Sequence, residues 1–207
     1  MGFLRRILTG NSRGESGPPE SGPPKPATAR ESAGEPASPS TDAPALIVLV
    51  LHGEHSDSGE LTLQGSIQAG LVADALAPQA ATGPVDAVLA CDRSGCRATA
   101  DLIAGKHSGI ETSPFEAPGD TDGLLGTLQD LQRRYAGRAA VVVVDETLLH
   151  RILSTLEGLP PEESTPPRIE AASITRLKLR PDLSYSLSLN DTEHLDGVTR
   201  SDRFRML

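Results

Sequence analysis

The sequence predicts an α/β domain in three layers, α/β/α, with a mostly parallel sheet and an antiparallel hairpin at its C-terminal end. Three observations carry this reading. Aliphatic runs too continuous to alternate occur at 45–51, 85–91 and 139–144, as in strands buried on both faces. Helical patterns lie between them, so the strands run parallel and helices cover the sheet. The last two apolar stretches, 172–179 and 183–189, instead alternate with a period of two around Arg180-Pro181-Asp182, which reads as a hairpin.

The elements follow in order. Residues 1–9 form a short amphipathic peptide, with Phe3, Leu4, Ile7 and Leu8 on one helical face and Arg5 and Arg6 off it. Eight or nine residues do not hold a helix alone in water, so this peptide is expected to contact a partner protein. Residues 10–44 are a linker rich in Pro, Gly and Ser, in which ESGPP occurs twice in succession. Such a composition buries too little to order itself. The domain is expected over 45–196, and residues 197–207 form a loose polar tail.

Within the domain, the strand 45–51 ends at His52-Gly53. A helix follows over about 62–77, with Ile67, Leu71, Ala75 and Leu76 inward and Pro78 as its stop. After the strand 85–91, a helix over 94–104 has Ser94 as N-cap and Gly105 at its end. Residues 105–119 are irregular. A third helix covers about 121–135, with a stripe of Leu124, Leu125, Leu128, Leu131 and Tyr135. A fourth covers 147–157 after the strand 139–144, closed by Gly158.

Composition narrows the function. The 207 residues carry a formal net charge of −9, which argues against nucleic acid, whose binding needs a basic face. It also weighs against a site for anions, unless local charge overrides the total. Aromatics are 2% of residues, too few for a base-stacking platform. Cys91 and Cys96 have neither zinc nor disulfide-framework spacing and read as two reduced thiols. No apolar run approaches the ~20 residues of a membrane span. The N-terminus has no signal-peptide pattern, and Arg6 stands where a myristoylation signal wants Ser or Thr. A cytoplasmic protein is expected.

Several segments in order carry a resemblance: LVLHGE at 49–54, LTLQGSIQAGLVADAL at 61–76, VDAVLACDRSGCRATADLIAG at 85–105, AAVVVVDETLLHRIL at 139–153, EGLP at 157–160, AASITRLKL at 171–179 and LSLNDTEHL at 187–195. Together they resemble the histidine phosphatase superfamily, the phosphoglycerate-mutase-like phosphatases, over about 45–196. The resemblance implies phosphoryl transfer through a phosphohistidine, with no cofactor and no metal. It makes His52 the nucleophile and Gly53 part of the substrate site. Two arginines and a second histidine would hold the phosphoryl oxygens, and a carboxyl group would protonate the leaving oxygen.

Matched residue by residue, His52, Gly53, Glu54, Thr99 and Ala100 keep the family pattern. Leu51 stands at the first arginine, Gly95 at the second, and Glu146 at the second histidine. The loop after His52 is short, HSDSGE. Glu116 is the nearest candidate acid, with Glu111 behind it. Arg93 could reach the phosphate, whereas Arg97 lies about 200° round its helix from Gly95 and Arg151 a turn deeper in its own.

Each charged hydrogen bond to phosphate is worth ~1.5–3 kcal/mol, and one lost transition-state donor lowers the rate ~10²–10³-fold. The leading expectation is therefore a catalytically degenerate pseudophosphatase with a binding or regulatory role. The alternative is an active phosphomonoesterase with a pocket rebuilt around Arg93 and Glu116. A third reading gathers His52, Cys91, Asp92, Asp145 and Glu146 at the strand ends as ligands for a divalent cation. His55 and His107 read as loop residues, His150 as an exposed or packing helix residue, and His194 as structural.

Overall fold

A computed structural model of the chain describes residues 42–80, 83–159, 163, 165 and 167–197. The expectations for the N-terminal peptide, for the linker up to residue 41 and for the tail beyond 197 lie outside these residues. The end of the presumed linker belongs to the domain. The Gln132 side chain donates to the Ala43 carbonyl at 3.0 Å, and Gly137 N–H donates to the Pro44 carbonyl at 3.0 Å.

One six-stranded sheet has the order β3-β2-β4-β1-β5-β6. Its strands are β1 (Ala45–Leu51), β2 (Ala87–Ala90), β3 (Thr112–Pro114), β4 (Ala139–Val144), β5 (Ile174–Leu179) and β6 (Tyr185–Asp191). The first four are parallel. β5 lies antiparallel to β1, and β6 antiparallel to β5, so the hairpin forms one edge as the period-two pattern predicts. β4 is buried along its whole length, and β1 at all but Leu46, which accounts for the continuous aliphatic runs. β5 starts later than its apolar pattern because Ala172 has φ +60°, a left-handed conformation in which a strand cannot continue.

The helices are α1 (Leu63–Ala75), α2 (Ser94–Ala104), α3 (Thr121–Arg134) and α4 (Glu146–Glu157). They pack in pairs, α1 with α2 and α3 with α4, and complete the three-layer α/β arrangement. Caps set their starts. The Thr62 hydroxyl accepts from Gly65 N–H at 2.9 Å, Asp120 from Gly123 N–H at 2.7 Å, and Asp145 from Leu148 N–H at 2.7 Å. Gly158 closes α4 at φ +69°.

Three sequence expectations change. β3 is a short edge strand inside the stretch that read as irregular. Ser94 is not the N-cap of α2: Arg93 holds that position with no side-chain cap. The inward face of α1 is Gly65, Gln68, Ala69, Val72, Ala73 and Leu76, while Ile67 is 47% exposed. A close backbone approach decides that face. A Cβ on Gly65 would stand 1.8 Å from the Glu54 carbonyl oxygen, and one on Gly53 would stand 2.3 Å from that of Gly65. Only paired glycines let α1 close on the end of β1, and Ile67, two residues from Gly65, then points outward.

Candidate functional site

His52 follows β1 at the carboxyl ends of the parallel strands, where open α/β sheets present ligands. Its backbone is clamped from both sides. His52 N–H donates to the Val144 carbonyl at 3.2 Å, and its own carbonyl accepts from Ala172 N–H at 3.1 Å. The next residue is fixed as well: Gly53 N–H donates to Thr99 Oγ1 at 3.3 Å.

The imidazole lies 2.7 Å through Nδ1 from the Gly53 carbonyl. A carbonyl only accepts, so Nδ1 carries the proton and Nε2 keeps its lone pair. The ring is 8% exposed, and burial holds its pKa below the ordinary value near 6.5 against the opposing pull of the Gly53 carbonyl. His52 is therefore a neutral base at neutral pH.

A cleft of about 950 Å³ opens over this ring. His55 forms part of it and meets His52 edge to face, ring centroids 4.6 Å apart. The short loop 55–61 is closed on itself: His55 bridges Leu61, and Ser56 N–H donates to the Glu60 carbonyl at 2.8 Å. Gly59 turns it at φ +83°.

The tip of this loop docks on the start of α2. The Gly59 carbonyl accepts from Gly95 N–H at 3.0 Å and from the Ser94 hydroxyl at 2.6 Å. The first turn of a helix ordinarily offers its free N–H groups to an anion. Here the Gly95 donor is taken by a protein carbonyl. A Cβ at Gly95 would start 3.2 Å from Gly59 O and 3.6 Å from the His52 ring.

Charge in the cleft is mostly negative. Glu54, Asp57, Asp145, Glu146 and Glu170 line it against two guanidiniums, Arg93 and Arg168. Arg93 is paired: its Nε donates to Asp145 Oδ2 at 3.2 Å, with its side chain 70% exposed. Asp145 thus does two things, capping α4 through one oxygen and holding Arg93 through the other.

His52, Leu51, Arg93, Gly95 and Glu146 all line this one cleft. Two site expectations are corrected. Glu116 is exposed and lines a separate hollow beside Asp92, Arg97 and Phe115, because β3 carries its segment to the far edge of the sheet. Glu111 is not part of the His52 cleft either. Gly53 does not line the cleft, since its face is pressed against Gly65. Its role is to let the His52 turn lie against α1.

Arg97 pairs with Asp92, and Arg151 donates to the Pro118 carbonyl. His107 is buried. His194 lies 2.8 Å through Nε2 from the Ala172 carbonyl, bracing the segment that holds His52. Sequence reasoning missed Arg168, His55 and the clamp by Asp145. Arg168 lies in the aperiodic stretch 159–171, where no pattern ties it to His52.

No three His, Cys, Asp or Glu side chains stand close enough to hold a metal ion among the described residues. Asp92, one of the ligands considered, turns instead to Arg97. No helix among the described residues is long and apolar enough to cross a membrane.

No family model and no curated protein matches the sequence. Solved structures do match. A phosphoserine phosphatase of Entamoeba histolytica, in complex with 3-phosphoglyceric acid, is 20% identical with a TM-score of 0.58, covering 73% of this chain and 99% of that one. YhfR of Bacillus stearothermophilus is 15% identical with a TM-score of 0.61, covering 73% of this chain and 100% of that one. The protein histidine phosphatase SixA, complexed with tungstate, is 20% identical with a TM-score of 0.54, covering 69% of this chain and 94% of that one.

Proposed function

We propose that this chain, whose fold is that of the histidine phosphatases, is a pseudophosphatase that keeps the scaffold and His52 but no longer hydrolyses phosphomonoesters at enzymatic rates. Its role would be binding or regulation. The observation that carries this reading is the charge around His52: five carboxylates and two guanidiniums line the cleft, and one of those guanidiniums is held by Asp145. A phosphoryl dianion brought there meets mainly repulsion. The three family cations are absent at Leu51, Gly95 and Glu146. Replacing even one charged donor lowers such rates ~10²–10³-fold.

Two further expectations belong to this reading. The peptide 1–9 is the contact for a partner protein. The cytoplasm is the compartment, consistent with the free thiols Cys91 and Cys96.

A second reading is favoured by the imidazole itself. A proton on Nδ1 fixed by the Gly53 carbonyl leaves Nε2 as a nucleophile, the form that phosphoryl transfer to histidine needs. In that case Arg93 and Arg168 would hold the phosphoryl group. The leaving-group acid would come from Glu54, Glu146 or Glu170 rather than Glu116.

Titration of the full chain with inorganic phosphate and with vanadate separates the two. The pseudophosphatase reading expects no saturable shift of the His52 ring signals up to millimolar ligand. Saturable vanadate binding that disappears in Arg93→Ala and Arg168→Ala would establish the second reading instead.

A further inference from the structure

We propose that Cys91 and Cys96 form a reversible dithiol–disulfide site, closed by hydrogen peroxide, that staples the loop bearing Arg93 and Gly95 beside His52. The inference holds whichever functional reading is correct, because it rests on the geometry of the two sulfurs.

Both thiols are free, and their Sγ atoms stand 2.7 Å apart. That is about 0.7 Å beyond the bonded separation of roughly 2.05 Å, so closure needs only a small adjustment. The backbone on both sides is already fixed. Cys91 N–H donates to the Val143 carbonyl at 3.0 Å, the Cys91 carbonyl accepts from Arg93 N–H at 2.8 Å, and Gly95 N–H is held by Gly59. Cys91 ends the β2 edge of the loop and Cys96 lies in the first turn of α2. The ring thus closed contains Asp92, Arg93, Ser94 and Gly95, two of which line the His52 cleft.

The two sulfurs divide the chemistry. The hydrogen bond that the two sulfurs share lowers the pKa of Cys91, helped by backbone hydrogen bonds at Asp145 and Arg93. The same shared proton, together with burial, pushes the Cys96 thiol up. Cys91 is 6% exposed and Cys96 0%. Cys91 is therefore the attacking thiolate and Cys96 the resolving thiol.

The steps balance. The Cys91 thiolate attacks one peroxide oxygen; the O–O bond breaks, sulfur is oxidised to a sulfenic acid, and hydroxide leaves. The Cys96 sulfur then attacks the Cys91 sulfur; the S–S bond forms, the S–O bond breaks, and the second hydroxide leaves. Those two hydroxides take up the two thiol protons as water. Overall, two thiols and one peroxide give one disulfide and two waters. A dithiol reductant reverses the change.

The test uses the full chain, treated with hydrogen peroxide, denatured without reductant, alkylated with iodoacetamide and weighed intact. The expected product has lost two hydrogens and takes up no alkyl group, and dithiothreitol restores two alkylatable thiols. Cys96→Ser stops at a dimedone-reactive sulfenic acid on Cys91, and Cys91→Ser leaves Cys96 unmodified. The His52 ring signals move between the reduced and oxidised wild-type protein. Two alkylatable thiols after excess peroxide, a sulfinic acid on Cys91 with Cys96 still free, or a disulfide between chains would each overturn the proposal. The wild-type arm decides by itself should either serine variant not fold.

Discussion

Two alanine substitutions in the same helix should change stability in opposite directions. In α1, Gly65→Ala and Gly70→Ala both replace a helical glycine, and intrinsic propensity favours each by ~0.8–1.0 kcal/mol. Nothing lies within 4 Å of a Cβ built on Gly70, so that gain should appear, diluted to ~0.5–1 kcal/mol. At Gly65 the Cβ falls 1.8 Å from the Glu54 carbonyl oxygen and 2.8 Å from the Glu54 nitrogen. Neither atom can move away cheaply. The Glu54 carbonyl accepts from Thr62 N–H at 2.9 Å, and Glu54 N–H donates to Gln68 Oε1 at 2.9 Å. Relief requires α1 to slide off the His52–Glu54 turn. Overpacking of this kind amounts to ~1–3 kcal/mol or more, leaving Gly65→Ala destabilised by about 2 kcal/mol after its propensity gain. With ~2–4 °C of melting temperature per kcal/mol at this chain length, the two variants should melt about 5–12 °C apart. Urea midpoints and thermal melts of the full chain measure this. A Gly65→Ala protein as stable as Gly70→Ala would refute the claim that a glycine-to-glycine contact sets the position of His52.

Three other outcomes are expected. Burial holds the His52 and His194 imidazoles below their ordinary value near 6.5, so the unfolded chain binds more protons than the folded one just below that pH. Stability should be level above about pH 7 and fall as the pH drops through the folded-state values, and the fall should be shallower in His194→Gln; equal slopes in urea midpoints would contradict this. Asp145→Asn keeps an N-cap of similar strength and gives up only a mostly exposed ion pair, so urea midpoints should place its stability within ~0.5 kcal/mol of wild type, and calorimetry should still find no saturable vanadate binding once Arg93 is released. Gly95→Arg should change stability by no more than ~1 kcal/mol, because the propensity gain of replacing a helical glycine is offset by the 3.2 Å approach of its Cβ to the Gly59 carbonyl, and it should yield no turnover on its own.

The framework was legible because burial on both faces leaves a direct trace. β1 and β4 are unbroken aliphatic runs, and the β5–β6 hairpin alternates around a turn. β3 left no trace, being three residues long and ending in proline. The face of α1 was misread for a different reason. Periodicity favours large side chains such as Ile67, whereas the contact between Gly53 and Gly65 is made by backbone and rewards the smallest. At the site, Leu51, Gly95 and Glu146 were visible by position as departures from the pattern that the sequence resembles. The carboxylate wall, the Gly59 plug on α2 and the place of Arg168 were not, because each depends on which loops meet in space. The Cys91–Cys96 contact is similar: a spacing of five across a strand end and a helix start does not say whether the sulfurs touch.

The claim that this scaffold no longer hydrolyses phosphomonoesters is tested most directly by turnover of an aryl phosphate and a small phosphomonoester panel, comparing the full chain with His52→Ala. The account predicts the same residual rate for both proteins and no acid-labile phosphate on His52. Turnover at ordinary enzymatic rates that vanishes with His52 would contradict it and place the missing cations in Arg93 and Arg168.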